Sequence, residues 1–345
     1  MKRIDEIIDH ETLNWLLEKE NPSVRYFTLS RLLRAHEDEK TTLDAKNEIM
    51  ISGIVPKILK KQNEVGYWGD PKKFYTDKYR GTVWQLMILA ELGADGKNEQ
   101  IKKACEFILQ NSQEIVDHGF SYYRSEKSGG GLASGVIPCL TGNMVWSLIR
   151  LGYFQDQRVQ AGIDWICKYQ RSDDGTDHPP KGYPYDRYEM CWGRHSCHLG
   201  VVKCLKALSA IDPDKRNEKV KAKIDELSEY FLVHHIFKRS HDLTKISRKG
   251  WLNLGFPLMY QSDILEILGI LIDLGFHDPR MQEAIEILHS KQNSNKRWKL
   301  ENTFNSKMIE NIEQKGKNSK WITQKATYIL MNFLAQENGK DILAL

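Results

Sequence analysis

Nowhere in the 345 residues is there a run approaching the roughly 20 apolar residues that a bilayer-spanning helix needs. Met1 to Ile8 alternates charged and apolar side chains, so the unbroken apolar core of a secretory signal is missing too. Charge of one sign is scarce: 50 Lys and Arg against 46 Asp and Glu leave a formal net charge of +4, which argues against a dedicated nucleic-acid binder with a concentrated basic face. Six cysteines, spread from Cys105 to Cys204, are too dispersed for the disulfide framework of a small secreted domain. These absences predict a cytoplasmic protein with free thiols and no nucleic-acid partner, and nothing in the sequence supports a membrane contact. One local basic cluster, Lys238, Arg239, Lys245, Arg248 and Lys249, reads as solvated surface, with an anion or anionic-lipid contact as the sharper alternative. The Gly-rich stretch Ser128 to Gly135 lacks the G-K-[ST] ending of a phosphate loop and reads as a flexible connection or a lid. No G-x-S-x-G nucleophile turn occurs.

Alternating strand patterns are rare, whereas apolar spacings of three and four recur throughout. Two kinds of helix alternate. One kind has a charged face: 4–18, 42–62, 101–110, 159–170, 220–237 and 280–292. The other is apolar or small on most sides: 24–33, 81–92, 140–151, 198–208, 263–274 and 323–334. The period is near 60 residues, and charged helices placed outside apolar ones bury both faces of the inner set. The expectation is a single all-α domain over 1–345 with about six inner and six outer helices. Asn21-Pro22-Ser23-Val24-Arg25 also resembles part of a HEAT-type repeat, but an open solenoid of that type has a shorter period.

Junctions between the two kinds carry a recurring pattern. Gln62, Gly66 and Trp68 read Q-x3-G-x-W. Looser echoes are Gln110 before Gly119-Phe120, Gln170 before Gly175, and Gln292 before Trp298. A Gln amide can satisfy free carbonyls at helix ends, Gly permits the turn, and the aromatic ring packs on a neighbouring helix. This pattern resembles the QW motif of squalene-hopene cyclase-like proteins, and six helix pairs resemble the single ring of a protein prenyltransferase beta subunit. The resemblance implies an α/α toroid, one closed ring, with a central funnel for an apolar, isoprenoid-like ligand. It implies a ring and not a reaction.

The resemblance also places candidate chemistry at the starts of the inner helices, where Cys139, Cys197 and Asp263 stand. Prenyltransferases hold zinc there with an Asp-x-Cys pair and a His. The corresponding positions here offer His195-x-Cys197, with Gln261 in the His place and Asp263 close by, so His195, Cys197 and Asp263 are the candidate zinc ligands. Asp263 and Cys139 are the candidate catalytic groups. The Arg and Lys that hold the family's diphosphate are replaced by Glu189 and Trp192, and the Asp-x-Asp-Asp acid of class II cyclases has no counterpart: Ser172-Asp173-Asp174 reads as a turn. Arg80, Tyr185, Arg187, Tyr188, Arg194 and Tyr260 are the expected cavity rim. His234, His235 and His241 read as helix-end polar groups. A non-catalytic ring that binds a lipid or a protein partner stands as the alternative to an enzyme.

Overall fold

The computed structural model describes residues 4–337, and among them the chain is mostly helical. In chain order the helices are α1 (His10–Leu16), α2 (Pro22–Phe27), α3 (Lys40–Glu48), α4 (Val55–Leu59), α5 (Thr82–Glu91), α6 (Glu99–Asn111), α7 (Pro138–Arg150), α8 (Gln157–Tyr169), the single turn α9 (Glu189–Trp192), α10 (His198–Ser209), α11 (Glu218–Val233), α12 (Ile264–Asp273), α13 (Gln282–Ser290) and α14 (Lys320–Glu337). A short antiparallel pair, β1 (Lys238–Arg239) and β2 (Asp242–Ile246), was not foreseen from the residue pattern. The second charged segment, read as one helix over 42–62, is broken into α3 and α4 around Gly53 (φ +76°). The first apolar segment ends in a π turn over Thr28–Leu32 after α2. No helix among the described residues is long and apolar enough to cross a membrane.

Burial separates the two kinds of helix. Every residue from Thr82 to Ala90 of α5 and from Gly200 to Leu208 of α10 is buried. In α8 only Val159, Gly162, Ile163, Trp165 and Ile166 are, which is one helical face. Asx caps start most of the half-exposed helices: Asp9, Asn98, Asp156 and Asn217 each accept a backbone N–H in the first turn. Among the buried helices α5 packs on α7, α7 on α10, α10 on α12, α12 on α14, and α14 on α2.

Three junctions are built alike. The Gln62 amide donates to Gly66 O (3.0 Å) and to Gln100 O in the next half-exposed helix (2.8 Å). Gln113 does the same to His118 O (3.1 Å) and Arg158 O (2.7 Å). Gln292 donates to Lys296 O (3.2 Å) and Ile7 O (2.8 Å). In each, the aromatic residue donates its backbone N–H to a threonine of the following buried helix: Trp68 to Thr82 (3.2 Å), Phe120 to Thr141 (2.9 Å), Trp298 to Thr323 (3.0 Å). Positive φ recurs at Gly66, His118 and Lys296. At Gly66 a Cβ would meet Lys103 C and O at 2.6 Å, so only glycine fits that copy. Gln113, and not Gln110, makes the second junction, and the turn there is one residue longer than at Gln62. At Gln170 the amide turns to Arg171 O, its oxygen accepts from Cys204 Sγ, and Lys223 bridges to the next helix instead.

The Gln292 junction ties the end of α13 to the segment ahead of α1. Gln292→Ala removes both amide hydrogen bonds and is expected to destabilise the protein by about 1–2 kcal/mol. Hydrogen exchange checks this: residues 7–16 should lose protection more than α7 or α10. Unchanged protection there would show that the junction does not hold the two ends together.

Candidate functional site

A cavity of about 620 Å³ lies among the C-terminal halves of the buried helices, with α2, α12 and α14 along its side. A chain of charges from four helices forms its floor and, at Lys203, runs on behind it. Lys203 binds both oxygens of Glu266 at 2.7 Å; Lys206 reaches Glu266 at 3.1 Å and also pairs with Glu91; Lys325 meets Glu91 at 3.0 Å. The Lys203 side chain is wholly shielded from solvent, and that of Glu266 is 5% exposed. Burial pushes the Glu266 carboxyl up, but Lys203 and Lys206 outweigh it and hold the group below the usual carboxylate range. For Lys203 burial wins and lowers the ammonium pKa despite Glu266. For Lys206 the two carboxylates win over burial and raise it. Lys203 lies behind the lining, and the two ammonium groups that reach the cavity, Lys206 and Lys325, are balanced by the carboxylates of Glu91 and Glu266.

The walls are apolar and aromatic. Trp146 lies 3.9 Å under the Lys206 ammonium, and the Phe27 and Trp321 rings meet at 5.9 Å between centres, tilted by 57°. Leu265, Ile270 and Ile329 complete them, with Gly269 leaving a gap on α12. The Trp321 Nε1 is buried without a hydrogen-bond partner among the described residues. At the rim Arg31 pairs with Asp273, which also accepts from Tyr328 Oη at 2.9 Å.

The residues singled out from the sequence stand elsewhere. Asp263 is the N-cap of α12 and is 1% exposed; its two oxygens accept the Glu266 and Gly255 amides at 2.9 and 2.8 Å. Burial raises its pKa to about 7 against those bonds. Cys139 is buried near the start of α7, and burial pushes its thiol to about 12. Cys197 caps α10, where a hydrogen bond from the Cys191 thiol, aided by the Gly200 and Leu199 amides, holds its pKa below the ordinary thiol range against burial. His195 turns away to Asp174, its Nδ1 3.0 Å from the carboxylate, with a 64% exposed ring. His195, Cys197 and Asp263 are thus each engaged with different partners, and no group of three His, Cys, Asp or Glu side chains among the described residues is placed to hold a metal. All six cysteines are free.

None of the expected rim residues lines the cavity. Tyr260 packs at the starts of α5 and α12 against Tyr79 and Trp84. Tyr188 meets Tyr122 and donates to Ser134 O (2.9 Å). Tyr185 packs on Trp192 at 5.4 Å, Arg194 pairs with Asp177, and Arg80 and Arg187 are exposed. The glycine-rich stretch is tied down by Gly131 N–H to Gln113 O (2.7 Å) and Leu132 N–H to Tyr123 O (2.8 Å). The cavity charges went unnoticed because each sits in a helix read as apolar. The available signal was Lys203 and Lys206, one turn apart inside an otherwise apolar helix.

No protein family model and no curated protein matches the chain. Solved structures do resemble it. A family 76 glycoside hydrolase from a bovine Bacteroides thetaiotaomicron strain is similar over 93% of this chain and 68% of its own, at 12% identity and a TM-score of 0.45. A GH76 alpha-mannanase of Bacteroides thetaiotaomicron is similar over 98% and 94%, at 13% identity and 0.44. A type II terpene cyclase from Scytonema, in complex with geranylgeranyl dihydroxybenzoate, is similar over 95% and 98%, at 12% identity and 0.38.

Proposed function

We propose that the protein is a small-molecule-binding α/α toroid, a single domain in which α2, α5, α7, α10, α12 and α14 close an inner ring around the ligand. Closure is supported by the Gln junctions: each ties one outer helix to the next, and the Gln292 junction ties the last to the segment ahead of the first. The cavity of about 620 Å³ among the inner helices carries the binding reading. Its walls suit an isoprenoid-like apolar body. Its floor requires a polar end, since covering Lys206 and Lys325 with hydrocarbon alone would desolvate charges without return. The reading is one of binding, with no reaction assigned.

Gly269 provides the test. A Cβ added there would meet only Ile329 Cδ1 at 3.7 Å, an ordinary contact, so a larger side chain can grow into the cavity. Farnesol and geranylgeraniol, titrated against the fluorescence of Trp146 and Trp321, are expected to saturate the wild-type protein. Gly269→Phe, still folded by thermal melt, should weaken both by at least about tenfold, or 1.4 kcal/mol. Equal affinity in the two proteins, or saturation by neither probe, would remove the proposal.

A further inference from the structure

At the other end of the inner helices, the residues ahead of α5 and α12 bring several aromatic rings together. Tyr75 and Tyr79 come from the loop before α5, Trp84 from its first turn, and Tyr260 from the approach to α12. Tyr75 and Trp84 lie 4.9 Å apart between ring centres, Tyr79 and Trp84 5.2 Å, Trp84 and Tyr260 6.2 Å. Polar contacts fix them: Trp84 Nε1 donates to Tyr75 O (2.8 Å), Gln85 Nε2 to Tyr79 O (3.0 Å), and Gln261 Nε2 to Tyr79 Oη (3.3 Å). Tyr75 is 9% exposed and Trp84 1%. The rings are therefore held by their surroundings and do not depend on what lies over them.

What lies over them is the ammonium of Lys78. Its Nζ is 4.5 Å from the centre of the Tyr260 ring, 5.1 Å from Tyr75 and 5.8 Å from Trp84. Lys78 is an exposed residue, and no ion pair among the described residues includes it. Its attraction to this place is that of a cation for three ring faces, and it strengthens as the cation is desolvated. A lysine ammonium is strongly hydrated and is a modest ligand for such a site. A quaternary ammonium, weakly hydrated and with methyl groups to bury, suits the same faces better. Two buried amide oxygens on the residues that hold Tyr79, Gln85 Oε1 and Gln261 Oε1, have no hydrogen-bond partner among the described residues and add negative potential beside the rings.

We propose that Tyr75, Trp84 and Tyr260 form a binding site for a small quaternary ammonium compound, and that Lys78 occupies it from within as a tethered competitor. This site is separate from the cavity at the opposite helix ends and stands whether or not that cavity binds a ligand. Occupancy by Lys78 lowers the apparent affinity for a free cation by the fraction of time the rings are open.

Choline is the probe, followed by isothermal titration. Lys78→Ala removes an exposed side chain and leaves the rings in place. It is expected to bind choline about tenfold more tightly than the wild-type protein. The neutral isostere 3,3-dimethylbutan-1-ol should bind Lys78→Ala about tenfold more weakly than choline, because it has the shape without the charge. Adding Tyr260→Leu to Lys78→Ala should return choline binding to the wild-type level or below. The proposal is overturned if choline binds the wild-type protein and Lys78→Ala equally, or if the neutral isostere binds Lys78→Ala as tightly as choline does.

Discussion

Glu266→Ala is expected to destabilise the protein by about 3–5 kcal/mol, the scale for stranding a buried charge. Glu266 is the only carboxylate within ion-pair distance of Lys203 among the described residues, and the Lys203 side chain has no exposed surface. Remove the carboxylate and the ammonium faces two poor choices. It can stay charged without a partner, or release its proton at neutral pH, to which burial already inclines it. Lys206 suffers less, since it keeps Glu91. The reverse single change, Lys203→Met, should therefore cost less than Glu266→Ala, because Glu266 retains Lys206 at 3.1 Å. The double variant Lys203→Met/Glu266→Leu replaces a paired site with apolar bulk and should recover most of the loss, since the pair and its hydrophobic substitute are close in free energy. Urea denaturation of all three decides the matter. A loss under about 1 kcal/mol for Glu266→Ala would mean that cavity water solvates Lys203 and that the floor is not dry.

That ion chain also marks where reading the residues alone stopped. Apolar periodicity located the buried helices, because each must bury most of its circumference and few other patterns do so. The stretch read over 263–274 became Ile264–Asp273, and that over 198–208 became His198–Ser209. The Q-x3-G-x-W junction was legible at Gln62 and at Gln292, where Lys296 takes the positive φ that Gly66 takes in the first copy. It was misplaced by three residues at Gln113, where the turn is one residue longer and His118 supplies the positive φ. Spacing cannot reveal such an insertion; only the paired carbonyls of His118 and Arg158 do. The cavity was illegible for a different reason. Its charges come from α5, α10, α12 and α14, up to 234 residues apart, and no local window joins Glu91 to Lys325. The helix starts are the more conspicuous places in the sequence, and Asp263 and Cys197 stand there as caps. Asp263 spends both oxygens on backbone amides, which gives it a structural task sufficient to explain its place.

Gly142→Ala sets two familiar effects against each other. In the middle of a helix, alanine is favoured over glycine by roughly 0.5–1 kcal/mol, so propensity alone predicts a more stable protein. Packing predicts the opposite. Gly142 is where α7 lies against α10, and a Cβ there would sit 2.4 Å from Lys203 C, 2.5 Å from Lys203 O and 2.6 Å from Cys204 N. These are backbone atoms in the buried stretch Gly200–Leu208 of α10 and cannot rotate aside. The two helices would have to separate by about 1 Å to restore normal contact distances near 3.5 Å. Separation disturbs more than one contact. Lys203 carries the Glu266 ion pair, and Gly200 packs on Pro138 in the next turn of the same interface. Overpacking of this kind costs typically about 1–3 kcal/mol and more when backbone must move, so the expected result is a net loss of about 2–3 kcal/mol. Gly269→Ala on α12 is the control: the same exchange in a buried helix, with its nearest neighbour at 3.7 Å, should be neutral or stabilising by up to about 1 kcal/mol. The denaturant midpoint of Gly142→Ala should therefore fall below that of the wild-type protein, while that of Gly269→Ala holds or rises. If Gly142→Ala proved as stable as Gly269→Ala, α7 and α10 could not be in backbone contact at Lys203, and the seating of the floor charges on α10 would fall with it.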